Sequence, residues 1–394
     1  MMSHREDRFV QVTPFKIAVS DAQLEDLARR LRDARWPNAT LGADWDDGTE
    51  PGFLRRLTDY WRTQFDWRAQ EARLNELPQF IAEVGGTDIH FVHRRGAGPD
   101  AFPLILTHGW PGSFAEMEQI IPLLTDPGAH GADPADAFDL VVPSLPGYGF
   151  SARPSRPGVG PHHVAGLWAE LMAGLGYHRF GAQGGDWGAS VSTWLAFRFP
   201  DQVAGLHLNF IPGSFLPPLG EGQPPLSPEE LVFRARAAAW ADAEGAYAHI
   251  QGTKPQTLAF ALADSPVGLA SWIAEKFRAW SDCGGDVERA FTLDQLLTDI
   301  SIYWFTNTIG SSMRLYKESR RRPVHFAAGE RVLPPLGLAL FPQELPMPPR
   351  SWVERVFDVT RWTPMPRGGH FAAMEAPVLL AQEIRAFFRP LRRP

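Results

Sequence analysis

The stretch Gln-Gly-Gly-Asp-Trp-Gly at residues 183–188 decides the fold. It follows an apolar run at residues 179–183, typical of a strand, and it precedes a helical pattern at residues 187–199. Small residues on both sides of Asp186 permit the sharp strand-to-helix turn that presents a nucleophile above a sheet. Aspartate is also a favoured helix N-cap, so the strand before the turn and the helix after it carry the prediction. We therefore expect Asp186 to be a nucleophile.

Short apolar runs alternate with helical patterns on both sides of this turn. The predicted strands cover residues 103–107, 138–142 and 203–210, and the predicted helices cover residues 114–124 and 162–175. Strands that alternate with helices favour a parallel sheet, because a parallel connection needs a crossover of a dozen or more residues. The segment thus predicts a mostly parallel α/β sheet.

Beyond this segment the pattern changes to helices and then returns to strands. Helical patterns cover residues 228–250, 271–280 and 293–317, strands are predicted at residues 324–328 and 356–362, and a closing helix is predicted at residues 377–388. A helical insertion within an α/β sheet is typical of a lid or cap over an active site. We therefore expect a helical cap inserted in the core.

The first hundred residues have a pattern of their own. A capping box at Ser20 and Gln23 starts a helix that Pro37 closes, a second helix covers residues 53–65, and two strands around Gly85-Gly86 indicate a hairpin. The predicted units are residues 1–100, an N-terminal helical and hairpin region; 101–217, the first part of the core; 218–322, the helical cap; and 323–394, the second part of the core.

Composition excludes several classes of function. The 394 residues carry a formal charge of −7, which argues against nucleic acid as the main partner. A single cysteine, Cys283, excludes an internal disulfide framework and a thiolate metal cluster, and no histidine belongs to a carboxylate set at ligand spacing, so no metal is expected. The charged start and the lack of an apolar run of 18 residues predict a cytoplasmic protein without a membrane anchor. A homo-oligomer is left open.

A second motif, His-Gly-Trp-Pro-Gly-Ser at residues 108–113, follows the predicted strand at residues 103–107. A loop in this position of such a sheet supplies backbone N–H groups to a developing anion. We expect the N–H groups of Trp110 and Trp187 to form that oxyanion hole. A tight Pro-Gly turn is the structural alternative, and both descriptions hold together.

The third motif, Gly-Gly-His-Phe at residues 368–371, lies between the last predicted strand and the last helix. In the chain order nucleophile, acid, histidine, His370 stands where the base belongs. Its orienting acid must follow a late strand. Glu344 meets this condition, and its rivals are Glu354, Asp358 and Asp299. The residues alone leave this choice open.

These motifs make the chain resemble the epoxide hydrolases of the microsomal and juvenile-hormone type over nearly its whole length. The matching segments are Arg35-Trp-Pro37, Phe65-Asp-Trp-Arg68, Ile89-His-Phe-Val-His93, His108 to Ser113, Pro143 to Ser151, Gln183 to Gly188 and Arg367 to Phe371. The resemblance implies an α/β-hydrolase fold with an N-terminal extension, Asp186 as nucleophile, His370 as base and Glu344 as the orienting acid. Membrane-bound relatives carry an N-terminal hydrophobic anchor, and membrane attachment is not carried over to this chain.

The resemblance also singles out two tyrosines of the predicted cap, Tyr247 and Tyr316, as acids for ring opening. It implies an epoxide and water as the reactants, with no cofactor. Aspartate suits this chemistry, because its attack on an epoxide carbon gives an ester that water can hydrolyse, whereas serine would give an ether. Aromatic richness favours a bulky apolar or aryl epoxide, in detoxification or secondary metabolism.

Two other functions use the same features. Haloalkane dehalogenation also uses an aspartate turn followed by tryptophan, but it needs no cap tyrosines. A catalytically silent fold that binds a ligand is a further alternative, since fold alone does not fix function. The set of Asp186, Glu344 and His370 argues against the second, and the tyrosine pair argues against the first.

Overall fold

A computed structural model describes residues 10–40, 42–98 and 100–392. One nine-stranded sheet runs through it in the order β1-β2-β3-β5-β4-β6-β7-β8-β9. The strands are β1 Val12–Phe15, β2 Gln79–Val84, β3 Thr87–Arg94, β4 Phe102–Thr107, β5 Phe138–Pro143, β6 Phe180–Gly184, β7 Val203–Leu208, β8 Val332–Leu340 and β9 Phe357–Pro364. The pairs from β5 through β9 are parallel, and the pairs that join β1, β2, β3 and β5 are antiparallel. The mostly parallel α/β fold is confirmed.

Helices cover both faces of the sheet and continue beyond it. They are α1 Asp21–Arg32, α2 Pro51–Thr63, α3 Trp67–Leu74, α4 Ile120–Thr125, α5 Pro161–Gly174, α6 Asp186–Arg198, α7 Pro228–Glu244, α8 Ala246–Thr253, α9 Pro255–Asp264, α10 Pro266–Ala279, α11 Leu293–Thr306, α12 Ile309–Arg321, α13 Arg350–Glu354, α14 Ala372–Glu375 and α15 Pro377–Phe388. The predicted capping box at Ser20 and Gln23 is present, with both reciprocal hydrogen bonds.

The core lies in two layers because alternate strand residues point to opposite faces. Ile105 and Val141 pack with helices α5 and α6, whereas Leu104 and Leu140 pack with helices α4 and α15. All four side chains are fully buried. Strands buried on both faces explain the unbroken apolar runs that predicted them.

The N-terminal region is continuous with the core sheet. Strand β3 pairs with β5 in antiparallel register, with Phe91 opposite Pro143 and Arg94 opposite Leu140. The predicted hairpin is therefore confirmed, and it extends the sheet rather than standing apart from it. The boundaries at residues 100, 217 and 322 stay predictions.

One predicted strand, residues 324–328, is wrong. These residues form only an isolated bridge between Leu216 and His325, while the strand itself is β8, at Val332–Leu340. Val324 and Phe326 are apolar because they are buried in the core, not because they join a ladder. The prolines at the start of β8 concealed it, and they are accommodated where the register with β9 shifts.

Three predicted helices are each divided in two. The segment at residues 114–124 forms a short 3₁₀ turn at Phe114–Met117 followed by α4. Helix α7 ends at Gly245 before α8, and α11 ends at Asn307, whose φ of 51° is left-handed. Asparagine tolerates that conformation better than most residues, so it stops a helix there.

Within the described residues, no single helix is both long and apolar enough to cross a membrane. Helices α9 and α10 pass the criteria of length and composition only as a pair, and they are bent by 116° at their junction.

The close approach of α6 to β4 gives a prediction about stability. A Cβ atom at Gly188 would lie 1.9 Å from the carbonyl oxygen of Thr107. Gly188→Ala must therefore push the helix from the strand, and we expect it to lower the free energy of unfolding by about 1–3 kcal/mol in urea denaturation. Gly213→Ala is the control, because a Cβ there meets no atom within 4 Å. Equal stability of the two variants would contradict this account.

Candidate active site

The turn between β6 and α6 holds Asp186 in a strained conformation. Its φ is +46°, which a residue with a side chain rarely adopts. The glycines around it are required by space. A Cβ at Gly184 would lie 2.2 Å from the carbonyl carbon of Gly188, and one at Gly185 would lie 2.6 Å from Nδ2 of Asn209. The turn thus lifts the carboxylate above the end of β6, where a nucleophile is accessible.

The loop after β4 supplies a backbone donor to this carboxylate. The N–H of Trp110 donates to Oδ1 of Asp186 at 2.8 Å. Gly109 makes the approach possible, since a Cβ there would lie 2.3 Å from the Cβ of Asp186. The sequence predicts that the N–H groups of Trp110 and Trp187 form the oxyanion hole, and the N–H of Trp110 does donate to Asp186. Among the described residues, no hydrogen bond joins the N–H of Trp187, the second residue of α6, to Asp186.

His370 and Glu344 come together from two loops that follow late strands. Nδ1 of His370 lies 2.6 Å from Oε1 of Glu344, and Nε2 lies 3.3 Å from Oδ2 of Asp186. The side chains of His370 and Glu344 are 3% and 1% exposed. Oε1 of Glu344 also accepts from the N–H of Leu345 at 2.8 Å, which fixes the carboxylate. The imidazole therefore hydrogen-bonds to Glu344 through Nδ1 and faces Asp186 with Nε2.

The rivals of Glu344 lie elsewhere. Glu354 pairs with Arg350 at 2.6 Å on the surface of α13, and Asp358 is exposed in β9. Asp299 is buried in α11 and belongs to a second acidic position described below. Among the four acids, the geometry brings Glu344 to the histidine.

The electrostatics of His370 depend on its neighbours. Burial disfavours a charged imidazole, but the carboxylates of Glu344 and Asp186 outweigh burial and raise the pKa of His370 well above its ordinary value. For His108, in contrast, burial outweighs the carbonyl of Gly109 and the charge of Asp186 and lowers the pKa to about 4. His108 is therefore a neutral structural residue, whose Nε2 accepts from the N–H of Leu145 at 3.1 Å.

Tyr247 on α8 and Tyr316 on α12 line the same cavity as Asp186. Their ring centroids are 5.8 Å apart. Tyr247 stacks on Trp110 at 5.4 Å, and Tyr316 contacts Trp187 edge-on at 4.6 Å. Burial raises the pKa of both phenols, and the charge of Asp186 adds to the effect. Both hydroxyls are thus protonated at neutral pH and can donate hydrogen bonds.

Two cavities meet at Asp186. The larger has a volume of about 370 Å³ and lies between the core and the cap. Its lining is mostly aromatic and apolar and includes Trp187, Phe210, Phe233, Trp240, Tyr247, Tyr316 and Trp352. The smaller, of about 20 Å³, has room for the centre of one water molecule and is lined by Asp186, His370, Trp110 and Glu116.

Glu116 is a site residue that the sequence did not reveal. It lies in the 3₁₀ turn after the Trp110 loop, and it lines both the small cavity and a neighbouring one shared with Asp299. Burial and the charge of Asp299 raise the pKa of Glu116. An isolated glutamate in a predicted helix carries no signal of such a position, because the contact arises only when α11 packs against this turn.

No metal cluster accompanies these groups. Within residues 10–40, 42–98 and 100–392, no three or more His, Cys, Asp or Glu side chains lie together so as to hold a metal ion.

An aspartate on a strand-to-helix turn, a backbone donor beside it and a histidine–glutamate pair after the late strands are the arrangement typical of enzymes of the α/β-hydrolase class. Comparison of the chain with known protein families gives the same class. Residues 12–117 match the family described as epoxide hydrolase N terminus, and residues 103–235 match the α/β-hydrolase fold.

Individual relatives narrow the class. A Stigmatella aurantiaca protein that carries the name epoxide hydrolase is 47% identical, over 97% of this chain and 86% of its own length. Epoxide hydrolase 1 of Sus scrofa is 40% identical, over 95% of this chain and 88% of its own length. The crystal structure of juvenile hormone epoxide hydrolase from the silkworm Bombyx mori has a TM-score of 0.84 at 30% identity, covering 98% of this chain and 95% of that one. The chain belongs to the epoxide hydrolase family.

The buried Asp299 gives a prediction about pH. Burial raises its pKa from 3.8 to about 7 in the folded protein. Between these values the unfolded chain loses a proton that the folded chain keeps, so wild-type stability falls as pH rises toward 7. Asp299→Asn has no such proton. We expect it to be more stable than wild type at pH 8, by at most about 4 kcal/mol, with the advantage disappearing near pH 4.

Urea denaturation of both proteins at pH 4, 6 and 8 measures this difference. The matched control is Asp201→Asn, at an exposed aspartate in the turn before β7, which should show no such pH dependence. A difference between Asp299→Asn and wild type that stays constant from pH 4 to pH 8 would argue against a buried, protonated carboxyl.

Proposed function

We propose that this enzyme opens an epoxide to a vicinal diol through a covalent ester on Asp186. One observation carries the proposal: a carboxylate held by the N–H of Trp110 lies between His370 on one side and the hydroxyl-bearing rings of Tyr247 and Tyr316 on the other. A nucleophile, a base and two acids thus surround a single cavity. This is the set that the two half-reactions need.

In the first half-reaction, Oδ2 of Asp186 attacks one ring carbon and the C–O bond of the epoxide breaks. Oδ1 already accepts from the N–H of Trp110 at 2.8 Å, so it becomes the carbonyl oxygen of the ester. The leaving oxygen develops negative charge and receives a hydrogen bond, then a proton, from Tyr247 or Tyr316. Their raised pKa values keep these phenols protonated before the reaction.

In the second half-reaction, His370 removes a proton from water, and the water oxygen adds to the ester carbonyl carbon. The small cavity bounded by Asp186, His370 and Glu116 has the size of one water molecule and suits this role. Charge then develops on Oδ1, where the N–H of Trp110 stabilises it. Collapse breaks the bond between the ester carbonyl carbon and the diol oxygen, which takes the proton held by His370. The remaining proton on Asp186 returns through solvent to the tyrosine phenolate, so that the diol is released and the carboxylate, the imidazole and the phenol are restored.

Charge on Asp186 links the two steps. In the free enzyme, that charge contributes to the raised pKa of His370. The ester is neutral, so its formation removes this contribution while burial still disfavours the imidazolium. Formation of the ester therefore lowers the pKa of His370 and favours the neutral imidazole, the form that can accept a proton from water.

The large cavity defines the substrate class. Its aromatic walls, among them Phe233, Trp240 and Trp352, favour a bulky apolar or aryl epoxide. Release of a halide, the reaction of the nearest mechanistic alternative, needs N–H donors for an anion that requires no proton. The two phenols over Asp186 favour an oxygen leaving group instead.

Isotopic labelling tests the covalent step. In a single turnover of styrene oxide in heavy-oxygen water, with enzyme in excess, we expect the label in Asp186 and unlabelled oxygen in the diol. The reason is that water attacks the carbonyl carbon of the ester, which belongs to Asp186, and not the substrate carbon. Mass spectrometry of the diol and of the peptide that contains Asp186 measures both. Asp186→Ala should be folded and inactive. A label that enters the diol directly in the first turnover would rule out the ester.

Replacement of the base should trap the intermediate. His370→Gln retains the nucleophile and the phenols but lacks the group that activates water, so the ester should accumulate. Intact-protein mass spectrometry after addition of styrene oxide should show one added substrate mass. His163→Gln, at an exposed histidine of α5, is the control and should turn over without an adduct. No adduct in a folded His370→Gln protein would refute the assigned role.

A further inference from the structure

Lys276 on α10 holds a buried ammonium group that neither half-reaction uses. Its side chain is 6% exposed, and Nζ lies 2.6 Å from Oε2 of Glu275. The same Nζ lies 4.6 Å from the centroid of the Tyr247 ring and 5.7 Å from that of Trp280. A cation within about 6 Å of an aromatic centroid interacts with the negative face of the ring. The cation thus lies against the phenol proposed to open the epoxide.

The choice of residue is unusual for this chain. Only four of its 38 basic residues are lysines, and the others, Lys16, Lys254 and Lys317, are exposed or half-buried. Burying a charge costs free energy that one ion pair seldom recovers in full. A compact ammonium fits against a ring face with a single carboxylate partner, whereas a planar guanidinium needs room for five donors. Lysine at this position therefore indicates a requirement for a small, localised positive charge.

The charges around Tyr247 define what this cation does. Asp186 faces the ring from the turn after β6, Tyr316 faces it from α12, and Glu275 and Lys276 approach from α10. Asp186 and Glu275 both disfavour a negative charge on the phenol oxygen. Of these four groups, Lys276 is the only cation, and its charge and the Tyr316 hydroxyl both favour a negative charge on the phenol oxygen. Lys276 opposes the two carboxylates when the phenol gives its proton to the opened epoxide.

We propose that Lys276 is a positioning residue for ring opening, whose ammonium group holds the Tyr247 ring against Trp110 and favours transfer of its proton to the leaving oxygen. The inference rests on the proposed function, because it assigns Tyr247 a proton to donate. It concerns the alkylation step only. Hydrolysis of the ester depends on His370 and water and should not sense the ammonium group through Tyr247.

Single-turnover kinetics in two backgrounds test the proposal. Lys276→Gln and Lys276→Met remove the charge with a polar and an apolar side chain, Lys276→Arg keeps it, and Lys254→Gln is a control at an exposed lysine of the cap. Each is made in the wild-type chain, and the two charge-removing changes are also made with Tyr247→Phe. Rapid quench with styrene oxide gives the alkylation rate, and decay of the isolated ester gives the hydrolysis rate.

We expect Lys276→Gln and Lys276→Met to slow alkylation roughly 5- to 30-fold, the range of a desolvated cation–π contact, with unchanged ester hydrolysis. Lys276→Arg should recover part of the rate, and Lys254→Gln should match wild type. With Tyr247→Phe, the loss caused by removing the charge should fall below twofold, because there is no proton left to favour.

An equal loss with and without the Tyr247 hydroxyl, or an equal slowing of alkylation and hydrolysis, would overturn the proposal and leave Lys276 a packing residue. If one charge-removing variant does not fold, judged by circular dichroism, the other gives the same comparison. Failure of the proposed function has a different signature, since the wild-type enzyme would then form no ester at all. A normal wild-type ester with an unaffected Lys276→Gln rate refutes only the inference.

Discussion

The left-handed backbone of Asp186 is the constraint on which the site depends. A side chain at φ +46° costs of order 1–3 kcal/mol and persists only where the surroundings enforce it. Here the buried strands β4, β6 and β7 and helix α6 enforce it, because they pack so closely around the turn that a Cβ atom at position 184, 185 or 188 would collide with its neighbours. The same turn fixes the carboxylate at hydrogen-bond distance from the N–H of Trp110 and 3.3 Å from Nε2 of His370. The packing of the core strands and of α6 thus determines where the carboxylate oxygens of Asp186 lie.

That carboxylate also controls the proton affinity of its neighbours. After the charge of Glu344, its charge contributes to the raised pKa of His370, and after burial it contributes to the raised pKa of Tyr247 and Tyr316. Under the proposed mechanism, esterification removes the charge, so the imidazole becomes easier to deprotonate just when water must be activated. A single charge, formed and neutralised once per turnover, can therefore order the acid and base steps without movement of the backbone. Distances this short in a buried site make such coupling strong, because little water screens it.

The sequence predicted the features that are local and missed those that arise from packing. The turn at Asp186, the Trp110 loop and the His370 loop each carry their own glycines, so their positions along the chain could be predicted from the sequence. Glu344 was not separable from its rivals without a family resemblance, because which loop reaches the histidine depends on strand order. The prediction of a strand at residues 324–328 was wrong because burial in the core and pairing in a sheet both select apolar residues. No sequence pattern indicates the contact of Lys276 with Tyr247, because the two residues lie on different helices, α10 and α8.

The N-terminal region contributes to the geometry of the site by connecting the cap with the core. Asp186 and His370 follow strands of the core, whereas Tyr247 and Tyr316 lie on α8 and α12 of the cap, so under the proposed mechanism the rate of ring opening depends on how firmly the cap is held. Arg30 of α1 contacts Asp264 at the end of α9 at 2.7 Å. The hydroxyl of Tyr60 donates to Asp294 at 2.9 Å, and the indole N–H of Trp61 donates to Ser301 at 3.0 Å, both on α11. Because strands β1 to β3 join the same region to the core sheet, it links helices α9 and α11 of the cap to the core, and under the proposed mechanism this link helps to keep the phenols in place.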